Sequence, residues 1–267
     1  MSRARTLLHR TIGLMAAAGI GLLSLLGPAR AQEQDCTVPA RFYDTEPTLP
    51  KTAAALASGQ TVFIVAVGGA STLGRAAGGS DLSWPARLAV ALTSRFPAAR
   101  VTVDNRAVAH QTAQEMAARL DREVIALQPT LVIWETGTTD AVQDTDLDEF
   151  RQTIQTGSEQ LRASGIEAVF MDMQFSPQIH AIINFDRYAS TLREVADAND
   201  VPLFRRHDIM HHWVESGLLD LMTEDHDKLR RVASRLYDCI GRAVADFVSR
   251  GVHPDVGAPP ASSGSHK

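Results

Sequence analysis

The chain has 267 residues and a formal net charge of -5, with 45% hydrophobic and 21% charged residues. A surface that binds nucleic acid carries an excess of basic residues, so this composition argues against nucleic acid as a partner. About 235 residues remain once the N-terminal segment described next is removed, which is the size of one domain with a sizeable core.

The N-terminus predicts export. Three arginines precede an almost wholly apolar run over residues 12–26, and Ala29-Arg30-Ala31 supplies the small-x-small pattern that signal peptidases cleave. This predicts a signal peptide over residues 1–31, a mature N-terminus at Gln32 and a periplasmic or secreted protein. An uncleaved membrane anchor is the alternative, although the run is short for a spanning helix. After cleavage of this segment we expect no stable membrane span.

Two cysteines, Cys36 and Cys239, lie in the predicted mature part. An oxidising compartment favours a disulfide between them, which would join the two ends of the domain. A pair of buried free thiols is the alternative.

Short apolar runs alternate along the chain with segments of helical spacing. The runs suit strands buried on both faces. They are Thr61–Val67, Val101–Asp104, Thr130–Trp134, Ala168–Met173 and Val201–Phe204. The segments with apolar residues near i, i+3, i+4 and i+7 are Leu82–Phe96, Thr112–Leu127, Leu147–Ser164, His180–Asn199 and Lys228–Arg250. This alternation predicts an α/β protein, a three-layer α/β/α sandwich with a parallel five-stranded sheet.

The composition changes at both ends of the alternating region. Residues 32–58 contain proline and are weakly patterned, so we expect a lead-in segment there, with the α/β domain over residues 59–251. Residues 252–267 are rich in Pro, Ser and Gly, which predicts a disordered tail.

Four blocks of the sequence follow strands or precede the last helix. They are Gly68–Gly74 (GGASTLG), Asn105–His110 (NRAVAH), Glu135–Asp140 (ETGTTD) and Thr223–His226 (TEDH). Ligands of open α/β sheets bind at the carboxyl ends of the strands, so we expect these blocks to carry the chemistry.

The order and spacing of the blocks resemble those of the SGNH (GDSL-like) hydrolases, whose blocks read GDSxTxG, NxGxxG, GxND and DxxH. The helix start Ser83–Leu88, the segment Met171–Gln174 and a cysteine in the last helix are similar to one exported bacterial branch of that family. The resemblance covers nearly the whole mature chain. It implies an SGNH hydrolase or flavodoxin-like fold and a site for ester hydrolysis that uses no cofactor.

In that family the Ser of the first block is the acyl nucleophile, and its backbone N–H donates to the oxyanion. The Gly of the second block and the Asn of the third complete the oxyanion hole, while the His of the last block is the general base and the Asp three residues before it orients the imidazole. A neutral imidazole must accept the serine proton, and hydrogen-bond donors must face the developing negative charge.

Most of these positions are changed in this chain. Ala70 stands at the nucleophile position when the T and G of the first block are matched to Thr72 and Gly74. The other family-equivalent changed positions are Ala107, Thr139 and Thr223, and only His226 keeps the family residue type. Alanine has no nucleophilic atom, and loss of the serine of a hydrolytic triad lowers turnover on the order of 10⁶-fold.

A shift of one residue would make Ser71 the nucleophile, because Ser71 follows Gly69 as G-x-S. The shift gives up the match of the later T and G, and it displaces the hydroxyl by roughly 3.3 Å, which is large against catalytic tolerances. In that register His226 remains the base, and Asp225 or Glu224 orients it.

The same loops supply expected pocket and ligand-binding residues, namely Gly69, Asn105, His110 and Asp140. His110 replaces a small residue of the second block. It fills the pocket, contacts a ligand or points to solvent.

His207 and His211 have the i, i+4 spacing of two metal ligands on a helix, and Asp208 is adjacent to the first of them. The alternative is an exposed polar helix face, which we favour because two helical histidines do not define a metal site. We expect no metal and no other cofactor.

Two hypotheses about function follow. The first is a catalytically impaired or inactive SGNH-like protein that binds an acylated glycan, a small ester, a lipid-like ligand or a periplasmic protein. The second is a weak or altered acyl esterase that uses Ser71 and His226 for ester or O-acetyl hydrolysis. The fold alone does not decide between them, because chemistry depends on the site.

Overall fold

A computed structural model describes residues 36–43 and 48–253. The predicted signal peptide lies outside the described residues, as do residues 44–47 and all but the first two residues of the predicted tail.

Five parallel strands form one sheet. They are β1 (Val62–Val67), β2 (Val101–Asn105), β3 (Leu131–Glu135), β4 (Glu167–Met171) and β5 (Leu203–Phe204), in the order β2-β1-β3-β4-β5. The two inner strands β1 and β3 pair in register from Ile64 with Leu131 to Val67 with Trp134. The predicted five-stranded parallel sheet is therefore confirmed.

Helices connect and cover the strands. The ranges are α1 (Pro50–Ala57), α2 (Ala70–Leu73), α3 (Trp84–Arg95), α4 (Ala113–Glu123), α5 (Thr138–Gln143), α6 (Leu147–Ala163), α7 (Pro177–His180), α8 (Asp186–Ala198), α9 (Arg206–Glu215) and α10 (His226–Val252). Within the described residues, no helix has both the length and the apolar character needed to cross a membrane.

Two buried clusters cover the two faces of the sheet. Alternate residues of β1 point to opposite faces, so Ile64 belongs to one cluster and Val65 to the other. The first cluster includes residues of α1, α3, α9 and α10, and the second includes residues of α4, α6 and α8. This arrangement is the predicted three-layer sandwich, and it explains why the central strands are apolar on both faces.

The predicted disulfide is present. Cys36 and Cys239 are bonded, with a Cα–Cα distance of 5.2 Å and a sequence separation of 203 residues. The bond fixes the start of the described chain to the middle of α10.

The segment expected to form one helix from His180 to Asn199 is divided. α7 ends at His180, and α8 begins only at Asp186. Between them Phe185 is 2% exposed, so the chain turns here to place that ring in the core. The last strand is also shorter than expected, because Pro202 has no N–H and contributes only its carbonyl, which accepts from the backbone N–H of Phe170 at 2.9 Å.

Candidate functional site

The first block forms a tight turn at the carboxyl end of β1. Gly69 caps α2, and Gly74 ends it with φ of 80°, in the left-handed region that favours glycine. A Cβ on Gly68 would lie 2.4 Å from Thr72 Oγ1 and 2.8 Å from Glu135 Oε2, so only glycine fits there. The turn therefore brings the backbone against the side chain at the end of β3.

Ala70 and Ser71 are the first two residues of α2. Ala70, which the match of the first block predicts at the nucleophile position, is half-buried and offers only a methyl group. Ser71 is buried, and its hydroxyl donates to Glu135 Oε2 at 2.9 Å while accepting from Arg206 Nη1 at 3.0 Å. The Ser71 hydroxyl therefore both donates and accepts a hydrogen bond within the protein.

Glu135 is the centre of this buried network. Its Oε2 also accepts from Thr72 Oγ1 at 2.5 Å and from the Gly69 N–H at 3.3 Å, and its Oε1 lies 3.1 Å from Arg206 Nη2. Trp84 Nε1 donates to Thr72 Oγ1 at 3.2 Å. The carboxylate therefore joins the start of α2 to the start of α9.

The charge of Glu135 is stabilised despite its burial. Burial alone would raise the pKa of Glu135, but the Arg206 guanidinium and the hydrogen bonds from Thr72, Ser71 and Gly69 outweigh it and lower the pKa below the ordinary value. The side chains of Glu135 and Arg206 are 3% and 2% exposed. An ion pair of this kind is costly to break, because removing one partner leaves a buried charge.

Arg206 was not anticipated from the sequence, where it reads as part of an exposed polar helix face, and Glu135 was noted only as the first residue of its block. The one available signal is position: Glu135 is the last residue of β3, and Arg206 lies two residues after the end of β5.

The second block is held by its own asparagine. Asn105 Nδ2 donates to the Thr72 carbonyl at 2.6 Å, and Asn105 Oδ1 accepts from the Ala107 N–H at 3.1 Å. In the family this N–H belongs to the oxyanion hole, whereas here it has an internal acceptor. His110 is exposed with φ of 65°, so a non-glycine residue keeps a left-handed backbone in this loop.

The third block begins α5 after Gly137. Thr139 is half-buried, and Asp140 is buried with its carboxylate directed at the start of α4, where both oxygens accept from the Ala113 N–H at 3.0 and 3.1 Å. Burial raises the pKa of Asp140. Asp140 therefore positions α4 rather than presenting its carboxylate to solvent.

His226 is the first residue of α10 and is exposed. Asp225 caps the helix by accepting from the Lys228 N–H at 2.8 Å, while Thr223 is half-buried in the preceding loop. Among the residues that the structure describes, no hydrogen bond joins Ser71 to His226.

The histidines of α9 pack against aromatic rings. The Phe175 ring centroid lies 5.4 Å from that of His207 and 4.5 Å from that of His211, and His207 Nδ1 lies 3.6 Å from Asp208 Oδ1. In the described ranges, 36–43 and 48–253, no group of three or more His, Cys, Asp or Glu side chains is arranged to hold a metal ion.

Comparison with known proteins agrees with this architecture. The model of the Non-GDSL lipase-like family matches residues 35–254. No curated protein matches the chain in sequence. The fold occurs in solved structures of lipolytic enzymes and esterases.

Three of those solved structures illustrate which kinds of protein share the fold. A protein from Desulfitobacterium hafniense DCB-2 assigned to the G-D-S-L lipolytic family is 19% identical, with 70% of this chain and 99% of that chain covered and a TM-score of 0.53. An acetylxylan esterase from Geobacillus stearothermophilus is 18% identical, with 66% and 93% covered and a TM-score of 0.51. A two-domain esterase active on acetylated mannans is 17% identical, with 73% and 55% covered and a TM-score of 0.57. At these identities the similarity establishes the fold, which is that of the SGNH hydrolases as the sequence blocks indicated.

Proposed function

Because the chain belongs to the Non-GDSL lipase-like family, yet has alanine where the SGNH fold carries its nucleophile, we propose that it binds an acylated ligand without hydrolysing it. The observation that carries this proposal is the position of Ala70 together with the internal engagement of the Ser71 hydroxyl. A serine hydrolase needs a hydroxyl hydrogen-bonded to an imidazole, and Ser71 is hydrogen-bonded to a carboxylate and a guanidinium instead.

The surrounding positions support the same conclusion. The Ala107 N–H donates to Asn105, so one family oxyanion donor is already used. Thr139 lacks the amide of the family asparagine, and loss of a single oxyanion donor lowers turnover by about 10²–10³-fold. Without the family aspartate at Thr223, His226 has no orienting group at the family spacing.

We propose an O-acylated glycan as the ligand. Support comes from the solved neighbours, of which one is an acetylxylan esterase and another is active on acetylated mannans. The expected place is the carboxyl edge of the sheet. There Gly69 is half-exposed and His110 exposed, whereas the side chains of Asn105 and Asp140 are occupied in holding the loops.

Export is part of the proposal. A signal peptide cleaved after Ala31 would deliver the chain to the periplasm or the exterior, where disulfides persist. The Cys36–Cys239 bond fits that destination. Such a protein would act as a binding or accessory component of glycan processing, and a lipid-like ligand or a protein partner are the alternative occupants of the same edge.

The rival function is an acyl esterase with Ser71 as nucleophile and His226 as base. It requires the Ser71 hydroxyl to leave both Glu135 and Arg206, and it requires an exposed residue at the start of α10 to reach a buried one. Both requirements weigh against it.

The experiment pairs binding with turnover. Acetylated xylo-oligosaccharides are titrated into the purified protein by calorimetry, and acetate release is followed on the same sample; chemically deacetylated oligosaccharides are the matched ligand control. The proposal expects binding that needs the acetyl groups and no acetate release above background. Acetate release that disappears in Ser71→Ala would establish the esterase, and equal or absent binding of both ligands would overturn the glycan assignment.

A further inference from the structure

Three imidazoles gather around one phenyl ring beside β4 and β5. The ring centroid of Phe175 lies 5.6 Å from His180, 5.4 Å from His207 and 4.5 Å from His211. The His180 and His207 centroids are 5.4 Å apart. We call His180, His207 and His211 the histidine cluster. His180 belongs to α7, and the other two belong to α9.

His207 is the buried member of the cluster. Its side chain is 12% exposed, and its Nε2 atom is inaccessible and has no hydrogen-bond partner. Its Nδ1 atom faces the Asp208 carboxylate at 3.6 Å. This arrangement suits a neutral imidazole with its proton on Nδ1, because the unprotonated Nε2 then needs no acceptor.

If both ring nitrogens of His207 carried a proton, the Nε2–H would have no hydrogen-bond acceptor. The rings nearest to His207 are those of Phe175, His180 and Phe185, and two of these are hydrocarbon. A buried N–H without an acceptor is unfavourable, and an imidazolium here would also face the ring of His180. Protonation of the cluster therefore opposes the contact between α7 and α9.

Two carboxylates lie beside the cluster, those of Asp208 and Glu215, but neither is a hydrogen-bond partner of the buried His207 Nε2. Asp208 is shared with Arg205 at 2.5 Å and lies 3.9 Å from Arg193 of α8. His211 has Glu215 at 3.5 Å on its solvent side. The charged and titratable groups around the cluster come from three parts of the chain. They are Asp172 after β4, Asp186 and Arg193 from α8, and Arg205, Arg206, Asp208 and Glu215 from the region of α9.

Asp172 offers less charge than its residue type suggests. Its carboxylate accepts from the His207 backbone N–H at 2.8 Å, and burial raises the pKa of Asp172 to about 7. Below neutral pH it is largely uncharged, so it does not balance a cationic His207.

The segment above His207 is lightly held. α7 has four residues, and Gln178 Nε2 reaches the Leu221 carbonyl at 3.2 Å. A cavity of about 370 Å³ is lined by the residues from His180 to Asp186. Movement of this segment would widen the cavity and expose the end of β4.

We propose that the histidine cluster is a pH-sensitive latch, which holds residues 177–185 against α9 at neutral pH and releases them in acid. The released segment opens the carboxyl edge of the sheet between β4 and β5. The inference does not depend on the proposed ligand or on the absence of hydrolysis.

Hydrogen-exchange mass spectrometry of the full chain at pH 7.5 and 5.5, corrected for intrinsic exchange, tests the latch. Peptides covering residues 174–186 should lose protection by about tenfold or more at pH 5.5, while peptides of α6 should keep theirs. In His207→Gln, and separately in the exposed-site variant His180→Gln, the pH effect on residues 174–186 should fall below about twofold. His226→Gln, which changes an exposed histidine outside the cluster, should retain the full effect.

Equal protection of residues 174–186 at both pH values would overturn the latch. So would a pH effect that persists in both cluster variants. If His207→Gln does not fold, His180→Gln alone decides, since its side chain is exposed and its replacement leaves the core intact.

Discussion

The hydroxyl of Ser71 donates a hydrogen bond to the carboxylate of Glu135 over 2.9 Å. This contact gives the serine of the first block a structural role, because the same carboxylate is paired with Arg206 from the other side of β4. In the proposed alignment of the first block, the residue before it, Ala70, stands at the nucleophile position. Under the proposed function, the first block therefore stabilises the turn and supplies no attacking group.

Glu135→Gln should destabilise the protein by about 3–5 kcal/mol, because it leaves the buried Arg206 charge without a partner. Urea unfolding followed by circular dichroism measures the free energy of unfolding. The matched control is Glu194→Gln, which removes an exposed partner of Arg151 and should cost less than about 1 kcal/mol. Similar small losses of stability for the two variants would show that the buried Glu135–Arg206 ion pair does not stabilise the fold.

Asp172 should give stability a specific pH dependence. Its folded pKa of about 7 lies above the ordinary 3.8 of an aspartate, so the native state takes up a proton that the unfolded state does not bind between these values. This group therefore contributes stability that grows as pH falls from 8, by about 2 kcal/mol at pH 5.5.

Asp172→Asn tests that sign, since asparagine keeps an oxygen acceptor for the His207 N–H but cannot titrate. The free energy of unfolding of the wild type, minus that of the variant, should increase as the pH falls from 8 to 5.5. A difference that is constant over this range would contradict the assignment.

The elements of the fold could largely be predicted, because strands such as β1 and β3 are uninterrupted apolar runs and the long helices have clear amphipathic spacing. The buried network could not. Glu135 and Arg206 are 71 residues apart, and a single charged residue after an apolar run is equally compatible with exposure at the end of a strand. The break between α7 and α8 could not be predicted either, because burial of Phe185 is a tertiary effect that helical periodicity does not reveal.

Restoring the family residues should restore activity only in combination. Ala70→Ser alone should leave p-nitrophenyl acetate hydrolysis near background, because the oxyanion donor and the orienting acid are still missing. The triple variant Ala70→Ser/Thr139→Asn/Thr223→Asp should exceed the single variant by about 10²-fold or more. Adding Ser71→Ala to the triple variant is the register control, and activity should survive it. Activity that vanishes with Ser71→Ala would show that the first block is matched in the wrong register.

Loss of the disulfide should weaken the whole domain. Cys36→Ser/Cys239→Ser removes a link across 203 residues and should cost about 2–5 kcal/mol. Thermal unfolding with and without reductant provides the control, because reductant should lower the melting temperature of the wild type and leave that of the variant unchanged. Identical melting temperatures for the oxidised wild type and the variant would show that the bond does not stabilise the domain.

The central claim is that no serine of the first block is a working nucleophile. Incubation of the purified protein with a fluorophosphonate probe, followed by intact-mass measurement and peptide mapping, tests it most directly. We expect no mass increase under conditions in which an active serine esterase is fully labelled. Stoichiometric labelling that maps to Ser71 and is absent in Ser71→Ala would contradict the claim.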